Sequence, residues 1–313
     1  MIRDNVKALA ESYFTKHEKR TRRKDKDPFI ERTKQGFREL GYKDEEMMIQ
    51  KSRLGGKNLV VGSPDAEYLF TAHYDTPGRN GWFVLPFSHI LGMGLASLLS
   101  QLFLVFLIAP GFLINLDAFP VVDMMIRLIP LVLLVLLFVV PNPRNHNDNT
   151  SGCIGVYNVA AIVAENPELR GKCAFVLFDM EEQGLFGSGA FARWRRKNYP
   201  GSENSCVINL DCIADGDILV LASKKKPAAV AEREKLAEFF KEEGFDTLQK
   251  KSNLFGYLSD HAKFKKGVML AFLRRSKLGG LYIPNIHTSK DQNCDLAQIE
   301  RLSESVIKYI SKA

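Results

Sequence analysis

A long segment without charged residues constrains this chain more than any other feature. No Asp, Glu, Lys or Arg occurs from Asn80 to Leu116, and apolar residues dominate again further on. The segments 82–109 and 119–140 both reach the roughly 20 residues that a helix needs to cross a bilayer. They predict an inserted transmembrane hairpin over residues 82–141. A hydrophobic lid and a buried dimerisation hairpin are the alternatives.

The charges around this hairpin predict its orientation. Arg79 and Arg144 flank it on the side of the main domain, whereas the turn between the spans carries Asp117 and no Lys or Arg. Asp123 and Arg127 are four residues apart in the second span, so they can pair on one helix face. The positive-inside rule then predicts a two-span membrane protein with its main domain in the cytoplasm. Five cysteines, an odd number without a C-x-x-C pair, also fit a reducing compartment.

A basic stretch near the N-terminus accounts for much of the net charge of +7. Seven Lys and Arg residues lie within 16–26. Such a stretch is typical of a solvated helix face, of a surface that attracts anionic membrane lipid, or of a nucleic-acid contact. No interleaved aromatic residues and no nucleic-acid motif accompany it, so nucleic acid is not expected as a partner. The other two interpretations stay open.

Strands that alternate with helices predict an α/β fold with a mixed, largely parallel central sheet flanked by helices. Removing the hairpin leaves a chain of ordinary single-domain length. We therefore expect residues 1–81 and 142–313 to form one domain, of which residues 1–57 are helical and basic, with the hairpin inserted into it. The predicted strands include 58–62, 67–75, 173–181, 207–213, 217–223 and 268–275.

Side chains of metal-binding type lie at the ends of these strands and in two loops. In open α/β sheets, ligand sites form where the carboxyl ends of strands meet. Imidazole and carboxylate ligands suit zinc. Each residue alone is a weak signal, and their combined order carries the prediction. The residues are His73, Asp75, Asp148, Glu181, Glu182, Asp211 and His287.

Six motifs follow one another in a recognisable order along the chain. They are AHYD (72–75), NDNTSG (147–152), FDMEEQGLFGS (178–188), NLD (209–211), SDHAKF (259–264) and HTSKD (287–291). This order resembles the co-catalytic two-zinc aminopeptidase family of the zinc exopeptidase clan. The resemblance covers most of the chain outside the hairpin and the basic N-terminus, and it implies a metallopeptidase that acts on peptides.

The resemblance also implies a role for each site residue. Two Zn²⁺ ions per chain are expected, with His73 and Asp211 on one, Glu182 and His287 on the other, and Asp148 bridging both. Glu181 is expected to be the general base, and Asp75 to orient the His73 ring. The residues Asp260, His261 and Phe264 are expected near the substrate pocket or in structural roles.

One position departs from the family pattern. Several family aminopeptidases carry a Tyr before the H-T motif that stabilises the oxyanion, whereas this chain has Ile286. Tyr282, Tyr257 or the zinc ions alone are the alternatives. A glutaminyl-cyclase-like acyltransferase, typically with Trp at that position, and a metal-free receptor or scaffold are the competing functions. Ile286 and the GLFGS segment favour a peptidase, and the full ligand set argues against a scaffold. Side-chain preference and oligomeric state stay open.

Overall fold

Nine strands form one mixed sheet within the part of the chain that the computed structural model describes, residues 2–109, 119–253 and 256–312. The order across the sheet is β1-β2-β4-β3-β5-β8-β6-β7, and β9 pairs with β8. Their bounds are Met47–Lys51 (β1), Lys57–Val61 (β2), Tyr68–His73 (β3), Cys173–Phe178 (β4), Cys206–Leu210 (β5), Ile218–Ser223 (β6), Thr247–Lys251 (β7), Gly267–Arg275 (β8) and Leu281–Tyr282 (β9).

Parallel pairing is concentrated at the centre of the sheet. The neighbours β4, β3, β5 and β8 are parallel, whereas β1, β2 and β9 pair antiparallel and β6 runs antiparallel to β8. Every residue of β3, β4 and β5 is buried, as expected for parallel strands covered on both faces. The predicted α/β fold with a mixed sheet flanked by helices is confirmed.

Helices cover both faces of the sheet. One core contains the stacked rings of Phe70 and Phe175, and a smaller core on the other face contains Phe178 and Phe191. Burying each such side chain stabilises the fold by about 1.5–3 kcal/mol. The helices outside the insertion are Asp4–Lys16, Arg23–Glu39, Gly152–Ala164, Pro167–Arg170, Phe186–Asn198, Pro227–Glu242 and Leu296–Lys312, and a short helical turn spans His146–Ser151.

Part of the basic N-terminal stretch is interior and not a surface. Arg20 is fully buried, and it donates hydrogen bonds to Thr150 Oγ1 at 2.9 Å and to the backbone oxygen of Tyr74. Lys26 Nζ lies 2.5 Å from Asp179 Oδ1, and both side chains are buried. These buried cations thus bind the residues that directly follow β3 and β4.

The inserted segment is where the structure overturns the sequence-based prediction. Among the described residues, no helix combines the length and the apolar character needed to cross a membrane. The predicted transmembrane hairpin, and with it the two-span membrane localisation with a cytoplasmic domain, is therefore wrong. The predicted lipid partner is unsupported by the described residues. The segment instead forms the helices Gly81–Val84, Ser88–Leu91, Met93–Ile108 and Pro120–Val139.

Breaks in the backbone explain why the count of apolar residues was misleading for the first predicted span. The first predicted span turns at Phe87 and Gly92, both with positive φ, so its longest helix has 16 residues, short of the roughly 20 required. The second helix contains Pro130 and the Asp123–Arg127 ion pair. The predicted turn between the two spans, which contains Pro110, Gly111 and Asp117, lies outside the described residues.

The insertion packs against the loop that follows β8. Lys277 N donates to His89 O at 3.1 Å, and Leu278 N donates to Ile90 O at 2.9 Å. At Gly92, with φ of 78°, an added Cβ would lie 2.8 Å from Gly280 Cα, so the close approach of the two backbones requires glycine. These contacts join the first half of the insertion to the segment that leads to His287.

Candidate metal centre

Three of the site segments follow adjacent parallel strands. His73 is the last residue of β3, Asp211 follows β5 directly, and Glu181 and Glu182 lie three and four residues beyond β4. Because the carboxyl ends of parallel neighbours meet at one edge of the sheet, these side chains converge there. The helical turn His146–Ser151 and the loop after β9 bring in the remaining two, Asp148 and His287.

The five expected ligands lie within contact distance of one another. His73 Nε2 is 3.3 Å from Asp148 Oδ1 and 3.9 Å from Asp211 Oδ1. His287 Nε2 is 3.0 Å from Asp148 Oδ2 and 3.4 Å from Glu182 Oε1. The side chains therefore form two triads, each able to hold a metal ion, that share Asp148 through its two oxygens. A third group with donors close enough to hold an ion joins His73 to Glu181 and Glu182.

The spacing of these donor atoms fits zinc. Donors that share a tetrahedral zinc ion at about 2.0–2.2 Å lie about 3.3–3.6 Å apart. The four separations here, 3.0 to 3.9 Å, lie around that value. In addition, Asp148 Oδ2 is buried and has no hydrogen bond of acceptable geometry among the described residues. A cation between the two triads would satisfy this oxygen.

Both imidazole rings are held by their Nδ1 atoms. His73 Nδ1 lies 3.1 Å from the backbone oxygen of Asp75, and His287 Nδ1 lies 2.7 Å from Asn80 Oδ1. Because both partners are oxygen acceptors, each Nδ1 carries the proton and donates it. Each Nε2 then faces the cluster and, once it has lost its own proton, offers the lone pair that metal ligation requires.

Asp75 contacts the backbone of the two glutamates. Its Oδ1 accepts from Glu181 N at 3.0 Å and its Oδ2 from Glu182 N at 3.3 Å. The carboxylate is 3.7 Å from His73 Nδ1, and it is the backbone oxygen of Asp75 that takes the hydrogen bond from that ring. Asp75 is therefore placed to fix the Glu181–Glu182 turn at least as directly as the His73 ring.

Burial and mutual charge shift the protonation of the cluster. Burial raises the pKa of Glu181 well above its ordinary value, and repulsion from Glu182 adds to this effect. Burial opposes the charged form of His73, but the surrounding carboxylates, Glu181 foremost, raise its pKa well above the ordinary value. Burial also opposes the ionised form of Asp148, yet the adjacent imidazoles of His287 and His73 lower its pKa.

Several residues that support the site carried no sequence signal of their own. Asn80 holds the His287 ring, and Arg20 links Tyr74 to the turn that carries Asp148. Asp291 accepts hydrogen bonds from the backbone amides of Asn147 and Asp148 at 2.9 and 3.0 Å. Asp291 belongs to the H-T-x-x-D motif, which marks its position but not its role.

A cavity of about 240 Å³ opens beside the cluster. Beyond the metal-binding residues its walls are mainly apolar, with Met269, Ala271 and Leu273 from β8. Leu85 and Met93 of the insertion also line it, and they pack in the same apolar cluster as these β8 residues. The cavity is thus built jointly by the sheet and by the inserted helices.

Two tyrosines were candidates to stand in for the missing Tyr at position 286. Tyr257 lines the cavity together with Ile286, whereas Tyr282 borders a neighbouring depression. Tyr257 has a φ of 59°, an uncommon backbone conformation that is often found at functional sites. Its placement makes it the better candidate of the two.

The SDHAKF segment lies behind the cavity wall. Asp260 and His261 are fully buried, and His261 Nε2 lies 2.6 Å from Ser252 Oγ. Phe264 packs against Phe178 with ring centroids 6.0 Å apart. These contacts belong to the packing of the fold, and the cavity is lined instead by the residues just before them, Tyr257 and Leu258.

Comparison with known proteins places the chain in a family. Residues 140–310, more than half of the chain, match the model of peptidase family M28. The chain therefore belongs to peptidase family M28, and the resemblance drawn from the six motifs is confirmed at the level of the family. No curated protein sequence matches the chain.

Solved structures share the fold at low sequence identity. The LapA aminopeptidase of Legionella pneumophila has a TM-score of 0.63 and 14% identity, over 98% of this chain and 69% of that one. A leucine aminopeptidase precursor from Bacteroides thetaiotaomicron has a TM-score of 0.63 and 13% identity, over 100% of both chains. Glutaminyl cyclase of Porphyromonas gingivalis has a TM-score of 0.61 and 16% identity, over 98% of this chain and 95% of that one.

Proposed function

We propose that this member of peptidase family M28 is an aminopeptidase-type exopeptidase that works with two zinc ions. The observation that carries the proposal is the pair of triads that share Asp148. His73 and Asp211 would hold one ion, and Glu182 and His287 the other. A single carboxylate with one oxygen facing each triad is the arrangement that a bridging ligand requires.

The charge of the cluster supports two divalent cations. It holds five carboxylates, and two neutral imidazoles cannot balance them. Burying unpaired carboxylates is strongly unfavourable, so a cluster of this kind needs cations to be stable in its ionised form. Two Zn²⁺ ions would offset four of these five negative charges. The carboxylates are those of Asp75, Asp148, Glu181, Glu182 and Asp211.

Zinc ions at these positions would supply Lewis-acid polarisation of the scissile carbonyl and a lowered pKa for the attacking water. Glu181 would take the proton from the attacking water and return it to the leaving amine. Asp75 holds the Glu181 backbone in position.

The apolar cavity supports a peptide with an apolar side chain beside the scissile bond. Leu85 and Met93 contribute to the wall from the insertion, next to Met269 and Leu273 of β8. A polar or charged side chain placed there would lose its hydration without gaining hydrogen bonds. We therefore propose that the insertion, residues 82–141, shapes the substrate pocket of a single domain made of residues 1–81 and 142–313.

A glutaminyl-cyclase-like acyltransferase is the second candidate because that enzyme class shares the fold. The sharing of Asp148 between two triads favours the two-metal peptidase. The complete donor set argues against a metal-free receptor or scaffold.

Metal analysis and substrate panels test the proposal together. We expect two zinc ions per chain, hydrolysis of leucyl-nitroanilide, loss of activity with a chelator and recovery with zinc. N-terminally blocked peptides should not be cleaved. One zinc ion per chain with cyclisation of N-terminal glutamine would instead support the acyltransferase, and a chain that binds no zinc would refute both enzymes.

A further inference from the structure

A second cavity, lined largely by cations, lies away from the metal centre. It has a volume of about 410 Å³ and is called here the basic cavity. Five basic side chains line it, and Glu203 is the one acidic residue in its wall. The five are Arg195, Arg196, Lys226, Lys263 and Lys265.

The basic cavity lies at the opposite edge of the sheet from the metal centre. Ser205 precedes β5 and Lys265 precedes β8, whereas Asp211 follows β5. Because β5 has five residues at about 3.3 Å each, roughly 16 Å of strand separates the two sites. A ligand in the basic cavity therefore cannot touch the metal-binding side chains unless it spans the sheet.

Arg195 is a buried cation without a balancing charge. Its side chain is 2% exposed, and its Nη2 donates to Ser205 Oγ at 2.5 Å while its Nε donates to the backbone oxygen of Pro64. Both acceptors are neutral. Burial lowers the pKa of Arg195 to about 10, with Asp65 and Glu203 counteracting only in part. Since a buried unpaired charge is costly, an anion in the cavity would stabilise this side chain.

The other cations also lack carboxylate partners. Within the described ranges, none of the five forms an ion pair of 4 Å or less. Lys226 Nζ donates to the backbone oxygen of Phe264 at 2.9 Å, and Lys265 Nζ donates to Asn204 Oδ1 at 3.1 Å. Burial lowers the pKa of Lys226, and repulsion from Lys224 and Arg196 adds to this effect. The wall therefore carries an uncompensated positive charge.

The unpaired hydroxyl of Ser202 is an independent indication of a ligand in the basic cavity. It lines the cavity, is 4% exposed, and its buried hydroxyl has no hydrogen-bonding partner among the residues that the structure describes. Buried hydroxyls in native proteins are nearly always bonded, so an orphaned one indicates a missing partner. A hydroxyl donates readily to an anionic oxygen, which is the same ligand that the surrounding cations require.

We propose that the basic cavity binds a phosphate-class anion with at least two negative charges, presented by a small molecule. Guanidinium groups and ammonium groups both bind phosphate oxygens, the former as planar double donors and the latter as point charges. Ser202 would add a neutral donor. The cavity is large enough for a diphosphate-sized ligand.

Titration calorimetry with inorganic pyrophosphate tests the proposal. Because pyrophosphate also binds zinc, the full chain carries His73→Ala to weaken the metal centre. We expect saturable binding of one pyrophosphate per chain. The double substitution Arg196→Gln, Lys263→Gln should weaken it at least tenfold, whereas Lys241→Gln, an exposed control on the helix Pro227–Glu242, should change it less than twofold. Absence of saturable binding, or equal affinity in the double variant, would overturn the proposal.

Two further measurements distinguish a specific anion-binding site from a merely basic surface. Ser202→Ala should weaken pyrophosphate binding severalfold and leave the thermal unfolding midpoint unchanged or higher, because the hydroxyl it removes is unpaired in the free protein. Citrate, a polycarboxylate, should bind at least fivefold more weakly than pyrophosphate. Unchanged pyrophosphate affinity in Ser202→Ala together with equal affinity for citrate would indicate non-specific attraction and overturn the proposal.

Discussion

Asn80 Oδ1 lies 2.7 Å from His287 Nδ1, across 207 residues of sequence. The next residue, Gly81, donates its backbone N–H to His287 O at 3.1 Å. A Cβ at Gly81 would lie 2.2 Å from Ile286 O, so glycine is required for this approach. The start of the insertion thus holds both the ring and the backbone of His287, whose own φ of 57° is an uncommon value.

The contact between Asn80 and His287 gives the first prediction. Asn80→Ala should lower zinc affinity by about 10–100-fold, because the His287 ring loses the acceptor that fixes its tautomer and orientation. Competition with a chromophoric chelator measures this affinity. Asn198→Ala, which removes an exposed hydrogen bond to Trp194 O, is the matched control and should leave the affinity unchanged. Equal zinc affinity in both variants would show that Asn80 does not position the ring.

The adjacent glutamates should differ in what they contribute. Glu181→Gln should keep its zinc and lose at least ~10²-fold in kcat, because the amide cannot carry the proton from water to the leaving amine. Glu182→Gln should instead lose zinc, since it weakens one of the two triads. Metal content and kcat, measured on the same preparations, check both expectations. Zinc loss in Glu181→Gln, or full activity in that variant, would contradict the assignment of the general base.

The insertion should influence which substrates are cleaved. Leu85→Ala removes part of the apolar wall, so kcat/KM for a leucyl substrate should fall about tenfold relative to an alanyl substrate, as expected for lost apolar contacts in a pocket. Nitroanilide substrates of the two residues provide the measurement. Leu54→Ala, at an exposed position, is the control. An unchanged leucyl-to-alanyl ratio of kcat/KM in Leu85→Ala would show that this residue of the insertion does not determine substrate preference.

Much of the site could be predicted from the sequence because the central strands β4, β3 and β5 are parallel neighbours. The apolar runs that became β3, β4 and β5 stop where polar residues begin, and parallel neighbours bring such ends together. This is why His73, Asp211 and the two glutamates could be expected at one place. Their supporting partners were harder to predict, since Asn80 is distant in sequence from His287 and carries no local pattern of its own.

The insertion could not be predicted from apolar content alone. Counting apolar residues measures how much surface avoids water, but it does not show where the backbone turns. Phe87 and Gly92 break the first segment, and Met93, Ala96 and Ser100 bury one side of the following helix. Arg20 shows the converse, because its charge indicated a surface and its side chain is fully buried against Tyr74 O and Thr150.

A buried ion pair far from the metal centre should make stability depend on pH. Glu232 is 3% exposed, with Oε2 at 2.9 Å from Lys266 Nζ and Oε1 at 2.7 Å from Tyr309 Oη. Burial opposes the ionised form, yet the hydrogen bonds from Lys266 and Tyr309 lower the pKa of Glu232 below its ordinary value. Burial likewise opposes the charged form of Lys266, while Glu232 raises the pKa of that lysine.

Stability from a carboxylate with a lowered pKa is fully present above its unfolded pKa of about 4.3, and it is lost as the pH falls through the folded value. Stability from a lysine with a raised pKa is lost as the pH rises beyond about 10.4.

Glu232→Gln should therefore lower the free energy of unfolding by about 1–3 kcal/mol at pH 7. Relative to the unsubstituted protein, this deficit should shrink once the pH falls below about 4. Urea unfolding at pH 7, 4 and 2.5 measures it, with the exposed Glu234→Gln as a control expected within about 0.5 kcal/mol of the unsubstituted protein. A deficit that stays constant over this pH range would show that packing, and not the charge of Glu232, stabilises this region.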